Sequence, residues 1–104
     1  MWRLKQCELI RDGGSYAVTI TDHMHEVSLW LQIERSGDGA RSHAGLFFAR
    51  GTSAAPRSPD TRRVSEIEEG AWLDVLRGAT TDEADARTRD RLTELIEVLA
   101  ARSM

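Results

Sequence analysis

Several residue types are scarce in this sequence, and each shortage excludes a class of protein. Cysteine occurs once among 104 residues, as Cys7, so no disulfide can form within the chain and a reducing compartment is expected. No apolar run extends beyond a few residues, whereas a helix that crosses a membrane needs about 20. The first residues also lack the apolar stretch of a secretory signal. We therefore expect a cytoplasmic protein without membrane association.

Positive charge is scarce as well. Lysine and arginine total 14 against 17 aspartates and glutamates, which gives a net charge of −3 at pH 7. Non-specific binding to nucleic acid depends on a surplus of cationic side chains facing the phosphates, so this composition disfavours it. Lysine occurs only at position 5 and alanine is abundant, a bias typical of a bacterial genome rich in G and C.

The remaining composition, 40% apolar and 30% charged, is that of an ordinary globular domain. The length is close to the commonest size of a single domain. Both prolines lie between residues 51 and 60, in a stretch of small and polar residues that predicts a loop. We expect one α+β domain over residues 1–104, with a sheet in 1–50, a loop in 51–63 and a helical part in 64–104.

Before the loop, apolar and polar residues alternate as they do in half-buried strands. The alternation is clearest over residues 16–21 and 27–34, and residues 2–10 and 43–50 are also extended by composition. Turn-forming residues separate these segments at 12–15, 22–25 and 37–39. The pattern predicts a four-stranded antiparallel meander sheet in the first half of the chain.

After the loop, the apolar period becomes helical. Ser65 followed by Glu68 matches a capping box, and Gly78 suits a left-handed position at the end of a helix. The capping pattern recurs at Thr80 and Glu83. The second helix has an apolar stripe of Ala84, Thr88, Leu92, Leu95, Ile96 and Leu99. The expected order is ββββαα, although residues 62–67 are compatible with a fifth strand as well as with the start of the first helix.

Turn positions predict which residues face each other across the antiparallel strands. The predicted pairs are Cys7–Ile20, Leu9–Val18 and Ile10–Ala17 in the first hairpin, Ile20–Val27 and Val18–Leu29 in the second, and Leu31–Leu46, Leu29–Phe48, Trp30–Phe47 and Glu34–His43 in the third. One side of the sheet, here called the core face, should pack against the last helix. Its predicted members are Cys7, Leu9, Val18, Ile20, Val27, Leu29, Leu31, Ile33, Leu46 and Phe48.

The opposite side, here called the outer face, is also apolar, although a solvated sheet face should be polar. Apolar patches tend to mark interaction sites, and aromatic residues are enriched in binding hot spots. We therefore expect a homodimer or a protein partner to dock here. The predicted partner-binding residues are Trp30, Phe47, Ile10, Leu4 and Trp2, with Ala17 between them. The alternative is that the first helix, which contains Trp72, covers this patch from within the chain.

A second hypothesis concerns four arginines in and around the loop. Arg50, Arg57, Arg62 and Arg63 are candidate contacts for an anion or a nucleic acid, because guanidinium groups bind planar anions. Sheet aromatics beside such a loop are compatible with binding of a single strand through base stacking. The acidic C-terminal half argues against this hypothesis, and a solvated loop is the simpler interpretation.

The third hypothesis is a metal protein or an enzyme. His23 and His25 would share one face if both lay in a strand, which makes them candidate metal ligands. No spacing typical of a zinc site accompanies them, and a polar turn is the simpler interpretation. The sequence contains no nucleophile elbow and no phosphate loop, so no cofactor is expected. The sequence therefore favours a non-enzymatic protein-binding or regulatory module.

Overall fold

The structure, a computed structural model, describes residues 2–10, 14–51, 61–79 and 85–101. Some sequence predictions lie outside these ranges. They are the turn residues 12 and 13, most of the predicted loop with Arg57, and the capping pair Thr80 and Glu83.

Within these ranges, five antiparallel strands form one sheet, and two helices follow them. The elements are β1 (Arg3–Ile10), β2 (Ser15–Asp22), β3 (His25–Arg35), β4 (Arg41–Arg50), β5 (Arg62–Arg63), α1 (Glu66–Gly78) and α2 (Ala86–Ala101). The strands lie side by side in chain order. The predicted α+β fold, a meander sheet followed by two helices, is confirmed. Neither helix in the described ranges is long and apolar enough to span a membrane.

The registers agree with the sequence in the second hairpin and in most of the third. Val18 pairs with Leu29 and Ile20 with Val27 around a turn at residues 23 and 24. Trp30 pairs with Phe47, as predicted. The first hairpin differs by two residues, because Cys7 pairs with Val18 and Ile10 with Ser15. A shift of two residues returns each side chain to the same face, so Cys7 and Leu9 remain on the core face.

Two irregularities in the ladder change which face a residue occupies. In β1 the register shifts between Leu4 and Gln6, which turns Leu4 toward the core face opposite Ile20. In β4 an extra residue, Ala44, interrupts the pairing between Gly45 and His43. As a result His43 pairs with Ile33, and the predicted Glu34–His43 pair is wrong. Bulges of this kind redirect side chains and are frequent beside functional sites.

The ambiguous segment after the loop contains both a strand and a helix start. β5 has only two residues, and Val64 continues beside it by donating its amide to Leu46 O at 2.9 Å. Ser65 then caps α1, accepting a hydrogen bond from the Glu68 amide at 3.3 Å, which confirms the predicted cap. The predicted end of α1 at Gly78 is confirmed, but the predicted left-handed conformation is wrong, because Gly78 is helical and Ala79 leaves the helix in an extended conformation.

The hydrophobic core lies between the core face and the helices. α2 begins after Asp85, whose carboxylate accepts the Thr88 amide at 2.8 Å, and it buries a stripe that includes Leu92, Leu95 and Leu99. The largest fully enclosed side chains are Tyr16, Ile20, Leu29, Leu31, Leu46, Leu76, Leu95, Leu99 and Val18. Each large apolar side chain buried in this way contributes roughly 1.5–3 kcal/mol, so this layer is the main source of stability.

Candidate functional site

The outer face is a flat array of cross-strand rows. Its central row spans all five strands, because the ladder pairs Glu8 with Ala17, Ala17 with Trp30, Trp30 with Phe47, and Phe47 with Arg63. A second row contains Gln6, Thr19, Ser28 and Ala49, and a third contains Ile10, Ser15, Gln32 and Gly45. The outer face is therefore apolar along its middle and polar at its rim.

Trp30 and Ala49 are the buried centre of this face, and Ile10, Ala17 and Phe47 pack around them. These residues form an apolar cluster that is separate from the main core. The Trp30 side chain is only 8% exposed, so Phe47, Ala17 and Ile10, which are half-buried, present the accessible apolar atoms. Within the described residues, the Trp30 indole nitrogen is buried without a hydrogen-bond partner. Such a group costs about 1–3 kcal/mol.

Leu4 and Trp2 do not belong to this face, and their predicted placement there is wrong. Leu4 is 6% exposed and lies in the main core, because the bulge beside Lys5 reverses its direction. Trp2 packs against the same core, and its ring contacts Trp72 edge-on with centroids 5.9 Å apart. Both side chains therefore contribute to the helix-covered side of the sheet.

The alternative that α1 covers the outer face is also wrong. Trp72 of α1 stacks on Phe48 with ring centroids 5.4 Å apart and an interplanar angle of 27°. Phe48 and the Trp2 ring both pack against the main core, so α1 lies on the same side of the sheet as α2. No helix in the described ranges packs on the cluster around Trp30.

The arginine cluster proposed from the sequence is divided by the sheet. Arg62 faces the helices, where it makes two hydrogen bonds of 3.0 Å to the Glu68 carboxylate and lies 4.9 Å from the Phe48 ring centre. Arg63 points the other way and donates to Ala44 O at 3.2 Å. Arg50 is exposed at the end of β4. Arg57 lies outside the described residues. These arginines do not form one anion-binding surface among the described residues.

The two candidate metal ligands do not share a strand face. His23 is in the turn, with a φ of 53°, and His25 begins β3. Both side chains are exposed, and the His23 ring nitrogen lies 3.8 Å from the Asp22 carboxylate. Among the described residues, no group of three or more histidine, cysteine or acidic side chains is arranged to hold a metal ion.

A buried polar pair that the sequence analysis did not identify connects the sheet to α1. The bulge at Ala44 directs His43 to the core face, where its Nε2 atom lies 3.2 Å from Oε1 of Glu69. The two side chains are 2% and 9% exposed. An open groove of about 350 Å³ lies beside His43 and is lined by Arg41, Ser42, Ala44, Arg63, Val98 and Ala101. Because the pair is enclosed between two elements, it serves to position them.

Two further titratable side chains lie under α2. Tyr16 is fully buried, and its phenol accepts a hydrogen bond from Arg41. Burial raises the pKa of Tyr16, and the nearby Arg41 charge partly opposes that rise. Burial, together with the Glu94 carboxylate, raises the pKa of the Cys7 thiol to about 12. A thiol with such a pKa is protonated at neutral pH and is a poor nucleophile.

No protein-family model, no curated protein and no solved structure matches this chain.

Proposed function

We propose that this protein is a non-enzymatic protein-binding module and that the outer face of its sheet is the docking surface. The observation that carries the proposal is the separate apolar cluster around Trp30, on the side of the sheet opposite both helices. A solvated antiparallel sheet normally alternates apolar and polar residues so that its exposed side is polar. This face departs from that rule in the middle of its central row, at Ala17, Trp30 and Phe47.

The composition of the surface supports protein docking. Interfaces combine an apolar, aromatic centre with a polar rim, and here Phe47, Ala17 and Ile10 surround Trp30 while Glu8 and Gln32 are exposed at the rim. The indole nitrogen of Trp30 is buried without a hydrogen-bond partner. The centre of the patch is therefore held by apolar packing and not by hydrogen bonds.

The surface also disfavours the nucleic-acid hypothesis. Stacking of bases requires exposed rings beside a continuous cationic groove. Trp30 is enclosed, and Arg62 is engaged by Glu68 on the opposite side of the sheet. The one thiol is buried and its pKa is raised, which disfavours a nucleophilic role for Cys7.

A photo-crosslinking experiment tests the proposal. A photoreactive amino acid replaces Ala17, which is half-buried on the outer face, in cells that naturally produce the protein. Ile67, which is 88% exposed on α1, serves as the matched control position. The expected result is a discrete protein adduct, identified by mass spectrometry, at position 17 and not at position 67. The adduct should disappear when Phe47→Arg is added.

Equal labelling at the two positions, or labelling at position 17 that Phe47→Arg leaves unchanged, would contradict a docking role for the outer face. Purified protein that binds a fluorescent single-stranded oligonucleotide with a steep salt dependence would favour the nucleic-acid hypothesis instead.

A further inference from the structure

The central row of the outer face is complementary in charge and size to the same row read in the opposite direction. From one edge to the other it reads Glu8, Ala17, Trp30, Phe47 and Arg63. An acid occupies one end and a base the other. A small side chain and a large one flank the central tryptophan.

From this order we infer that the partner of the outer face is a second copy of the same chain, and this inference rests on the proposed docking role. The two copies meet face to face around a two-fold axis that runs parallel to β3 through Trp30. Rotation about this axis reverses the row, so each residue of one copy meets the residue at the mirrored position in the other.

The charges are matched in this arrangement. Glu8 of one copy lies over Arg63 of the other, and the two-fold axis repeats this pair on the opposite side. Both side chains are exposed in the single chain. Complementary charges at the rim of an interface fix its register and steer association. The row provides two such pairs per dimer.

The sizes are matched as well. Ala17 of one copy faces Phe47 of the other, so the large ring meets the smallest apolar side chain of the row. The approach of Phe47 is further shaped by Gly45, where a Cβ atom would stand 3.3 Å from the Phe47 ring and 3.4 Å from the Arg63 guanidinium. Interdigitation of large and small side chains is how two sheets pack face to face.

The accessible part of the face is small. Thr19, Ser28 and Ala49 are buried in the single chain, so the exposed ends of the central row, its half-buried Ala17 and Phe47, and Ile10 provide the contact. Because interfaces below about 1,200 Å² belong to weak complexes, we expect a weak dimer, and sedimentation equilibrium can measure its dissociation constant.

One contact in the arrangement is unfavourable. Glu34 lies on the same strand and face as Trp30, four residues along β3, where it is exposed. The axis therefore brings the two Glu34 side chains toward each other at one end of the interface. Removing this charge should tighten the dimer, and we expect Glu34→Gln to lower the dissociation constant by about two- to threefold.

A charge exchange tests the axis directly. Glu8→Arg and Arg63→Glu should each raise the dissociation constant, by roughly tenfold, because each replaces two attractive pairs with two repulsive ones. The double variant Glu8→Arg/Arg63→Glu should recover affinity to within about threefold of the original protein. Ala17→Phe and Phe47→Ala form a parallel exchange in size, with the same expected pattern of loss and recovery.

Matched controls separate this pairing from a general effect of charge. Arg50→Glu and Glu97→Arg alter the net charge equally but lie at the end of β4 and on the exposed side of α2. They should leave the dissociation constant unchanged. Near-ultraviolet circular dichroism of each variant confirms that it is folded before its affinity is compared.

The outcomes distinguish this inference from the proposed function. Recovery in both double variants supports the two-fold arrangement. Double variants that are as weak as the single ones, or controls that weaken the dimer equally, overturn it. A chain that remains monomeric at about 1 mM, a limit beyond which association is negligible, also overturns it. The crosslinking experiment at position 17 would then decide, independently of the dimer, whether the outer face is a docking surface.

Discussion

His43 Nε2 lies 3.2 Å from Glu69 Oε1, and this contact joins the bulged part of β4 to the first turn of α1. Both side chains are enclosed, so each contributes to the polar surroundings of the other. Removing one member of such a pair takes a charged or polar neighbour away from the other inside an enclosed site. The contact therefore makes the position of α1 depend on the pairing of β4.

Replacement of Glu69 should be far more damaging than replacement of its neighbour. We expect Glu69→Ala to lower the free energy of unfolding by about 2 kcal/mol, because it removes the carboxylate that lies 3.2 Å from the His43 ring in an enclosed site. Glu68→Ala should cost below about 1 kcal/mol, because the Arg62–Glu68 pair is 55% and 40% exposed. Urea unfolding monitored by tryptophan fluorescence measures both values.

The double variant His43→Leu/Glu69→Leu provides the control. It removes both polar groups, so its cost should be smaller than the sum of the two single leucine variants. Additive costs would show that the two side chains do not interact.

Alkaline pH should destabilise the protein through Cys7. The folded thiol has a pKa of about 12, raised from about 9, so between these values the unfolded chain releases a proton that the folded chain retains. Stability is complete below about pH 9 and falls as pH rises toward 12, by about 1.4 kcal/mol per pH unit. Unfolding free energies at pH 8, 9 and 10 measure the slope.

Cys7→Ala isolates this contribution, since Tyr16 also has a raised pKa and acts in the same direction. The variant should be less stable at pH 8 but lose less stability between pH 9 and 10. Identical slopes for the two proteins would show that the thiol is not responsible.

The turn between β2 and β3 should accept glycine at one position only. His23 has a φ of 53°, a conformation that costs a residue with a side chain about 1–2 kcal/mol. Glycine relieves this strain but loses more conformational entropy on folding than histidine does. The net effect of His23→Gly should be a stabilisation of about 0.5–1 kcal/mol. Met24 does not have a positive φ, so Met24→Gly should destabilise it. Thermal unfolding of the two variants tests the contrast.

The two faces of the sheet should respond differently to truncation near the β1 edge. Leu4→Ala removes a side chain that is 6% exposed in the main core, and about 2–4 kcal/mol should be lost. Ile10→Ala acts on the half-buried outer face, so roughly half of that cost is expected in the single chain. Equal losses of unfolding free energy in Leu4→Ala and Ile10→Ala would show that the bulge beside Lys5 does not turn Leu4 into the main core.

The alternation of apolar residues was sufficient to predict the second hairpin and most of the third. In the second, the two-residue turn leaves one register that keeps Val18, Ile20, Val27 and Leu29 on one face. The first hairpin has glycines that permit more than one connection length. A shift of two residues preserves every face, so the apolar pattern alone does not distinguish the predicted Cys7–Ile20 pair from the observed Cys7–Val18 pair.

Residues whose sheet face or pairing was predicted wrongly lie beside bulges. Leu4, Cys7 and Leu9 are all directed to the core, and the spacing of three between the first two is a signal of an irregular strand that strict alternation overlooks. His43 has no such signal, because it is polar and its partner Glu69 is far away in sequence. The division between Arg62 and Arg63 depends on the two-residue strand β5, which is too short to predict from composition.

The interruption beside Lys5 also limits how large an assembly can become. β1 is the long outer strand of the described sheet, and an unbroken outer strand can recruit further chains side by side until a fibre forms. Here the shifted ladder and the charged side chain of Lys5, held 2.8 Å from Glu26, oppose that sideways growth. In the proposed dimer, the two-fold contact through the outer face is closed once both copies are used. On that proposal, raising the protein concentration should yield a finite particle that saturates at two chains, rather than an open polymer.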